Sequence, residues 1–203
     1  MSPAPDTNLR VFLVRHAHAA WGLPGMRDFD RPLDERGREE AARLAAAISV
    51  NGFEPDLVHC SNARRCMETF EILNASTGAN LKVEYSDALY AANHDAYLDL
   101  IAAAGNDTIR SLMIIGHNPM LEDTAQALLQ DDPASFETAL GSGFPTAGLL
   151  IVDCGQRGVN AVRGGASFVG RLSRSTPDGR GLPRLSPLPS VPTRQHRNCL
   201  ACF

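Results

Sequence analysis

The chain has 203 residues, of which 44% are hydrophobic and 21% are charged, as in a globular domain with a substantial core. No apolar run approaches the roughly 18 residues that are needed to span a bilayer. The amino-terminal residues 1–8 lack the basic start and the apolar stretch of a secretory signal. We therefore expect a cytoplasmic protein that has no membrane partner.

The charge is distributed unevenly, with a change of character after Cys154. Residues 155–203 hold eight arginines and one acid, Asp178, although the formal net charge of the whole chain is -4. Pro, Gly and Ser fill this segment, and little apolar periodicity survives in it. We expect a folded domain at 1–154 and a tail at 155–203 that is mostly disordered or loosely attached. A solvated extension is favoured over two alternatives, a tail that folds back on its own acidic domain and a tail that binds nucleic acid, and the segment lacks the interleaved aromatic residues that stack bases.

Strand-like and helix-like segments alternate along residues 9–152. Short apolar runs predict strands and helical spacing of apolar residues predicts helices, with Asp34 as the N-cap of the first helix. In chain order the segments are a strand at 9–14, a helix at 34–50, a strand at 57–60, a helix at 65–73, a strand at 81–85, a helix at 96–104, a strand at 111–115, a helix at 120–130 and a strand at 149–152. This alternation predicts an α/β fold with a mainly parallel central sheet.

Two histidines follow predicted strands. Arg15 and His16 come directly after the first strand, and His117 follows the strand at 111–115. Open α/β sheets build active sites at the carboxyl ends of their parallel strands. A guanidinium fork fits phosphate oxygens, and an imidazole is a competent nucleophile because its ordinary pKa is about 6.5. The pattern therefore predicts phosphoryl chemistry on His16, with Arg15 and His117 beside it.

A further cation is expected where a helix follows the strand at 57–60. The amino terminus of that helix offers free backbone amides, and arginines stand in its first turn. Both features favour an anion. The residues by themselves leave Arg64 and Arg65 as alternatives for the side chain that holds phosphate.

The segments around these residues resemble a known family. Three blocks are similar, in order, to the signatures of the histidine phosphatase (phosphoglycerate mutase-like) superfamily, namely Arg15-His16-Ala17, Ser61-x-Ala63-x-Arg65-Cys66-x-x-Thr69 and Gly116-His117-Asn118. Two more resemble the small phosphohistidine phosphatases of the SixA type, namely Asp30-Arg31-Pro32-Leu33-x-x-x-Gly37 and Phe144-Pro145-Thr146-Ala147. The resemblance covers about residues 8–153, and the ordered set of blocks is far more specific than any single block.

The resemblance carries a fold and a set of roles. It implies a three-layer α/β/α sandwich and a histidine phosphatase-like catalytic domain at 1–154. It also implies that His16 is the phosphorylated nucleophile, and that Arg15, Arg65 and His117 form the phosphate pocket. Neither a metal nor an organic cofactor is expected for such an enzyme.

The chain departs from larger members of the superfamily at the proton donor. Those members place a glutamate before the helix at 96–104, and here that place falls at Ala88, with Asp87 adjacent. A histidine imidazole leaving group can take its own proton, whereas an alkoxide needs a donor. This favours a phosphoramidate substrate. Asp87 is the candidate acid, and an ordinary exposed turn carboxylate is the alternative.

We therefore expect a phosphatase that hydrolyses phosphohistidine on a protein, such as a phosphorelay domain, through a covalent phosphohistidine on His16. One alternative is a broad phosphomonoesterase that acts on small phosphorylated molecules. Another is a module that binds phosphorylated partners without turnover.

Metal binding is a minor alternative at two places. His16 and His18 form a His-x-His pair, as in metal hydrolases built on barrels, but such barrels typically need about 250 residues. Cys199 and Cys202 form a CxxC pair without the second half that a zinc site requires.

Overall fold

The structure is a computed structural model, which describes residues 8–77, 80–105, 109–156 and 164–172. Its strands are β1 (Asn8–Arg15), β2 (Leu57–Ser61), β3 (Val83–Ser86), β4 (Ser111–Gly116), β5 (Leu149–Gln156) and β6 (Ala166–Leu172). Its helices are α1 (Glu35–Asn51), α2 (Arg64–Thr77), α3 (Ala88–Ala91), α4 (Asp95–Gly105), α5 (Met120–Leu128) and α6 (Pro133–Leu140), with a 3-10 turn at Asp28–Asp30. None of the helices in these ranges is long and apolar enough to cross a membrane.

The described strands form one sheet in the order β3-β2-β4-β1-β5-β6. The four strands β1 to β4 run parallel to one another, while β5 is antiparallel to both β1 and β6. The predicted mainly parallel sheet is therefore confirmed.

Helices cover both faces of the sheet. Successive side chains of a strand point to opposite faces, so Val11 and Leu13 of β1 pack with α4, α5 and α6. Phe12 and Val14 of the same strand pack with α1 and α2 on the other face. This arrangement confirms the predicted three-layer α/β/α sandwich.

Most predicted elements are present with shifted ends. The helix predicted from Asp34 is α1, and the Asp34 carboxylate caps it by accepting a hydrogen bond from the Gly37 amide at 2.8 Å. The sequence pattern does not predict the helices α3 and α6. Both are short, and such segments give too few helical repeats for a pattern to be visible.

The strand β6 lies within the segment that the sequence predicts as a tail. The sequence indicates a tail at 155–203 that is mostly disordered or loosely attached, but Ala166–Leu172 pairs with β5 and extends the sheet. Its ends Ala166 and Leu172 are buried, and Arg171 donates to the Ala139 carbonyl oxygen of α6 at 2.8 Å. A strand of seven residues is hidden when composition is averaged over the long segment. The rest of the predicted tail, including Cys199 and Cys202, lies outside the described residues except for the end of β5 and residues 164–165.

Candidate active site

The register of two neighbouring strands brings the two histidines together. In the parallel ladder between β1 and β4, Arg15 lies opposite Gly116, so His16 and His117 each follow at the same level. The His16 amide donates to the Gly116 carbonyl oxygen at 3.1 Å, and the two imidazole rings have centroids 5.1 Å apart. These residues form the floor of the site, at the carboxyl edge of the parallel strands.

Gly116 allows close packing behind the floor. A Cβ atom at this position would overlap the hydroxyl and ring of Tyr97, which is fully buried in α4. The Tyr97 hydroxyl donates to the Leu89 carbonyl oxygen at 2.7 Å and accepts from the His117 amide at 3.3 Å. The position of the His117 backbone therefore depends on a glycine next to it.

Arg65 joins the two histidines from the first turn of α2. Its Nε donates to His16 Nε2 at 3.2 Å, and its Nη2 lies 3.3 Å from His117 Nδ1. Two further hydrogen bonds join it to Asp28, where Nη1 donates to the carbonyl oxygen at 2.7 Å and Nη2 to Oδ2 at 3.0 Å. The guanidinium is a fork of donors at the centre of the site.

The hydrogen bonds define the protonation of His16. Since arginine only donates, the Nε2 of His16 that accepts from Arg65 is unprotonated, and the proton lies on Nδ1. Nδ1 then donates to the Ala17 carbonyl oxygen at 2.8 Å. Burial lowers the pKa of His16 to about 3, and the charges of Arg65 and Arg15 and the proximity of His117 act in the same direction. His16 is therefore neutral near pH 7, and the lone pair of Nε2 points into the site.

His117 is held in the opposite tautomer. Its Nδ1 accepts from Arg65, so the proton lies on Nε2, which donates to Ser61 Oγ at 2.9 Å. Burial lowers the pKa of His117 to about 4, and the charge of Arg65 contributes. Ser61, at the end of β2, is fully buried. This bond aims the Nδ1 of a neutral imidazole at the centre of the site.

Arg15 approaches the floor from the side of β5. Because β5 is antiparallel to β1, the loop that precedes it lies at the same edge, where the Ala147 amide donates to the His16 carbonyl oxygen at 3.2 Å. One Nη of Arg15 donates to the Phe144 carbonyl oxygen. Its Nε is buried and has no hydrogen-bond partner within the described part of the chain. An orphaned guanidinium N–H beside an imidazole is suited to an anion.

The structure separates the two arginine alternatives. Arg64 is exposed and donates to Glu68 at 2.7 Å, on the outer face of α2. Arg65 is buried and contacts both histidines. Four of the predicted site residues thus meet at one edge, namely Arg15, His16, Arg65 and His117, while their catalytic roles stay predictions.

Asp87 and His18 lie elsewhere. Asp87 accepts from the Asn62 side chain at 2.6 Å and stands before α3, so its carboxylate contacts neither imidazole. His18 Nδ1 lies 2.7 Å from an Asp34 carboxylate oxygen, at the start of α1. Within the described ranges, no group of three or more His, Cys, Asp or Glu side chains is arranged to hold a metal ion.

Two residues at the entrance were missed by sequence reasoning. The Asp28 carboxylate accepts from Arg65, from Arg31 at 2.7 Å and from the Tyr90 hydroxyl at 3.2 Å. The Tyr90 ring packs edge-on against His117, with centroids 5.5 Å apart, and against Phe29 at 5.0 Å. We call Asp28, Phe29 and Tyr90 the mouth of the site. The one available signal was the position of Asp28 within a loop between two matched blocks.

Known proteins are similar to this chain. The family model for the histidine phosphatase superfamily (branch 1) matches residues 11–103. An uncharacterised protein of Mycobacterium tuberculosis is 30% identical over 159 residues, which are 77% of this chain and 97% of that protein. An uncharacterised chloroplastic protein of Arabidopsis thaliana is 31% identical over 135 residues, which are 63% of this chain and 62% of that protein. The chain thus spans less than two thirds of the Arabidopsis protein.

A solved structure is similar over nearly its whole length. It is the crystal structure from Agrobacterium tumefaciens that is named as a phosphohistidine phosphatase, SixA, and it is 37% identical with a TM-score of 0.71. The superposition covers 81% of this chain and 97% of that chain. The chain belongs to the histidine phosphatase superfamily. It is a phosphatase of the SixA type, and the predicted family and enzyme class are confirmed.

Proposed function

We propose that this phosphatase removes phosphoryl groups from phosphohistidine on a protein, through a covalent phosphohistidine on Nε2 of His16. The observation that carries this proposal is the state of the His16 ring, which is neutral and held by the Ala17 carbonyl, with an unprotonated Nε2 that accepts from Arg65. A neutral imidazole nitrogen is a nucleophile that needs no separate base.

In the first step, Nε2 of His16 bonds to phosphorus while the bond from phosphorus to the leaving group breaks. Negative charge on the equatorial oxygens is stabilised by donors that are already in place. Arg65 and Arg15 offer guanidinium N–H groups. When the phosphoryl oxygens accept from Arg65 in place of His16, His117 and Asp28, the lone pair of His16 Nε2 is released for attack. The negative charge of the bound phosphoryl group favours the protonated form of His117, so that its Nδ1 becomes a donor to a phosphoryl oxygen.

In the second step, water adds to phosphorus and the bond to Nε2 breaks. The electron pair returns to Nε2, and phosphate leaves with the water oxygen and its protons, one of which is released to solvent near neutral pH. His16 regains the neutral state, with its proton still on Nδ1. The cycle needs no group other than water and the residues of the pocket.

The carboxylates near the site support a phosphoramidate substrate. Asp87 contacts Asn62 rather than the floor, and the hydrogen bond from Arg31, with the charge of Arg65, holds the pKa of Asp28 below its ordinary value. An ionised carboxylate cannot protonate an alkoxide leaving group. The histidine ring of a phosphohistidine substrate needs no such donor, because it can leave as neutral imidazole. The name given to the Agrobacterium tumefaciens structure points to the same substrate class.

The test compares hydrolysis rates across a panel of substrates. We expect a phosphohistidine protein to react much faster than phosphoserine, sugar phosphates or nucleotides. Radiolabelled substrate should leave an acid-labile label on the enzyme after rapid quench, and His16→Ala should abolish both label and turnover. Equal rates on all esters would favour a broad phosphomonoesterase, and binding of phosphate without turnover would favour a binding module.

A matched variant addresses the metal-dependent alternative. His18→Ala removes an imidazole that pairs with Asp34 outside the pocket, so we expect nearly unchanged turnover with this variant and in excess chelator. Loss of activity in both experiments would support a metal hydrolase that uses His16 and His18. A cytoplasmic location, the absence of a nucleic-acid partner and the domain boundary remain predictions from the sequence.

A further inference from the structure

The Asp28 carboxylate has a role to be explained, because it lies against the guanidinium that is expected to bind phosphate. Within the described residues three donors reach it, namely Arg31 on Oδ1 and both Arg65 and Tyr90 on Oδ2. A carboxylate offers about four acceptor positions. A phosphoryl group that takes the Nη2 of Arg65 frees one more position on Oδ2.

Asp28 stands on the side of the site where a leaving group must exit. His16 lies on the floor, and in-line displacement sends the leaving group away from its Nε2, towards solvent. The side chain of Arg65 is 8% exposed, whereas that of Asp28 is 50% exposed. Tyr90 is also exposed, at 36%. The departing group therefore passes the mouth of the site.

The charge at the mouth matches one class of leaving group. A phosphorylated imidazole that has taken a proton on its free nitrogen is a cation with an N–H donor. Alkyl and aryl phosphates have no such donor and develop negative charge on the departing oxygen. An ionised carboxylate attracts the first kind and repels the second.

Resting on the proposed function, we propose that Asp28 is a specificity determinant that accepts a hydrogen bond from the protonated ring of phosphohistidine and so selects P–N substrates over phosphate esters. Tyr90 positions Asp28 through its hydroxyl, and Phe29 supports the Tyr90 ring. The carboxylate stabilises the protonated ring, which is the form that reacts.

The charges and atoms balance without a further reagent. The substrate ring enters protonated on the nitrogen that does not bear phosphorus. When Nε2 of His16 bonds to phosphorus, the P–N bond of the substrate breaks and its electron pair stays on the departing nitrogen. The ring leaves as neutral imidazole with the proton it brought, and Asp28 remains ionised throughout.

The test measures kcat/KM of the full chain for phosphoimidazole and for 4-nitrophenyl phosphate. Asp28→Asn keeps the size and one acceptor of the side chain but removes its charge. We expect kcat/KM for phosphoimidazole to fall about tenfold or more, the scale of one charge-assisted hydrogen bond. For 4-nitrophenyl phosphate we expect a smaller fall, which measures the altered contact between Asp28 and Arg65, so the ratio of kcat/KM between the two substrates is the deciding quantity.

Asp30→Asn is the matched control. It removes the same charge from the same 3-10 turn, but Asp30 is bound to Arg27 away from the floor. We expect its ratio between the two substrates to equal that of the wild type. Circular dichroism checks that each variant is folded, and Asp28→Glu, which restores the charge, should recover part of the preference.

The outcomes separate this proposal from the function on which it rests. If the wild type hydrolyses phosphoimidazole and Asp28→Asn changes both substrates by the same factor, Asp28 only orients or masks Arg65, and the specificity role is overturned. If the wild type hydrolyses the ester and leaves phosphoimidazole untouched, the proposed function fails instead. A fall in kcat/KM for phosphoimidazole that exceeds the fall for the ester supports both the specificity role of Asp28 and the proposed function.

Discussion

The floor and the mouth of the site are built in different ways. The floor residues His16 and His117 follow neighbouring parallel strands, and the ladder between β1 and β4 sets their level. The mouth residues Asp28 and Tyr90 come from a 3-10 turn and from the short helix α3, and one hydrogen bond joins them. The floor is thus held by the backbone pairing of a sheet, whereas side-chain contacts join the two parts of the mouth.

This difference suggests that the two regions have different functions. Backbone pairing in a buried sheet holds groups within the tolerance that transition-state stabilisation requires. Half-exposed side chains on short elements are held less rigidly, which suits the recognition of a leaving group. Changes on the floor should therefore affect every substrate strongly, and changes at the mouth should affect substrates unequally and weakly.

The largest effect is expected for the two arginines that reach the floor. Arg65→Ala and Arg15→Ala should each lower kcat by at least about a hundredfold for all substrates, the scale of losing one transition-state donor. Arg65→Lys should recover little, because an ammonium lacks the fork of donors. Steady-state kinetics with Arg64→Ala as the control checks this, and an equal loss in Arg64→Ala would contradict the assignment.

A second prediction concerns the packing behind the floor. Gly116→Ala places a methyl group against the buried Tyr97 ring, and overpacking of this kind costs about 1–3 kcal/mol in the free energy of unfolding. Urea denaturation measures the change. Gly105→Ala is the control, since a Cβ there meets no atom of the described residues within 4 Å. An unchanged free energy of unfolding in Gly116→Ala would show that the residues of the floor can shift to make room for the methyl group.

A third prediction concerns acid stability. The folded protein keeps His16 and His117 neutral down to pKa values of about 3 and about 4, whereas the unfolded chain protonates them near 6.5. Stability should therefore fall as the pH is lowered below 6.5, by up to about 1.4 kcal/mol per pH unit for each imidazole, until the folded pKa is reached. His16→Gln should make the loss shallower, as measured by denaturation between pH 7 and 4. If the free energy of unfolding falls with pH equally in the wild type and in His16→Gln, His16 is not a neutral, buried group.

The smallest effect is expected at the mouth. Tyr90→Phe removes the hydroxyl that donates to Asp28 but keeps the ring against His117. We expect kcat/KM for phosphoimidazole to fall about two- to tenfold, less than on loss of the Asp28 charge because the hydroxyl only positions that carboxylate, with the ester much less affected. A hundredfold loss on both substrates would place Tyr90 with the floor and would remove the distinction between the two regions.

The floor was predictable because its signals are local. A polar residue directly after a buried apolar run marks the carboxyl end of a strand, and Arg15, His16 and His117 each carry that mark. Arg65 needed the resemblance to separate it from Arg64. Neighbouring residues of a helix point in different directions, and only packing decides which one faces the site.

The mouth was not predictable, since its parts are distant in sequence and carry no periodic pattern. Asp28 and Tyr90 are 62 residues apart, and their contact depends on how the loop before α1 and the helix α3 lie over the edge of the sheet. The strand β6 was not predictable for a related reason, because its pairing with β5 joins segments whose compositions differ.

The amino-acid sequence by itself determined the alternation of strands and helices, the α/β fold with a mainly parallel sheet and the residues that line the floor. Those features follow from hydrophobic periodicity and from the rule that parallel strands end at one edge. Only the tertiary structure decided the tautomers of His16 and His117, the contacts of Arg65 with both imidazoles and the placement of Asp28 at the exit. Each of these depends on hydrogen-bond distances between remote segments, which sequence spacing does not encode.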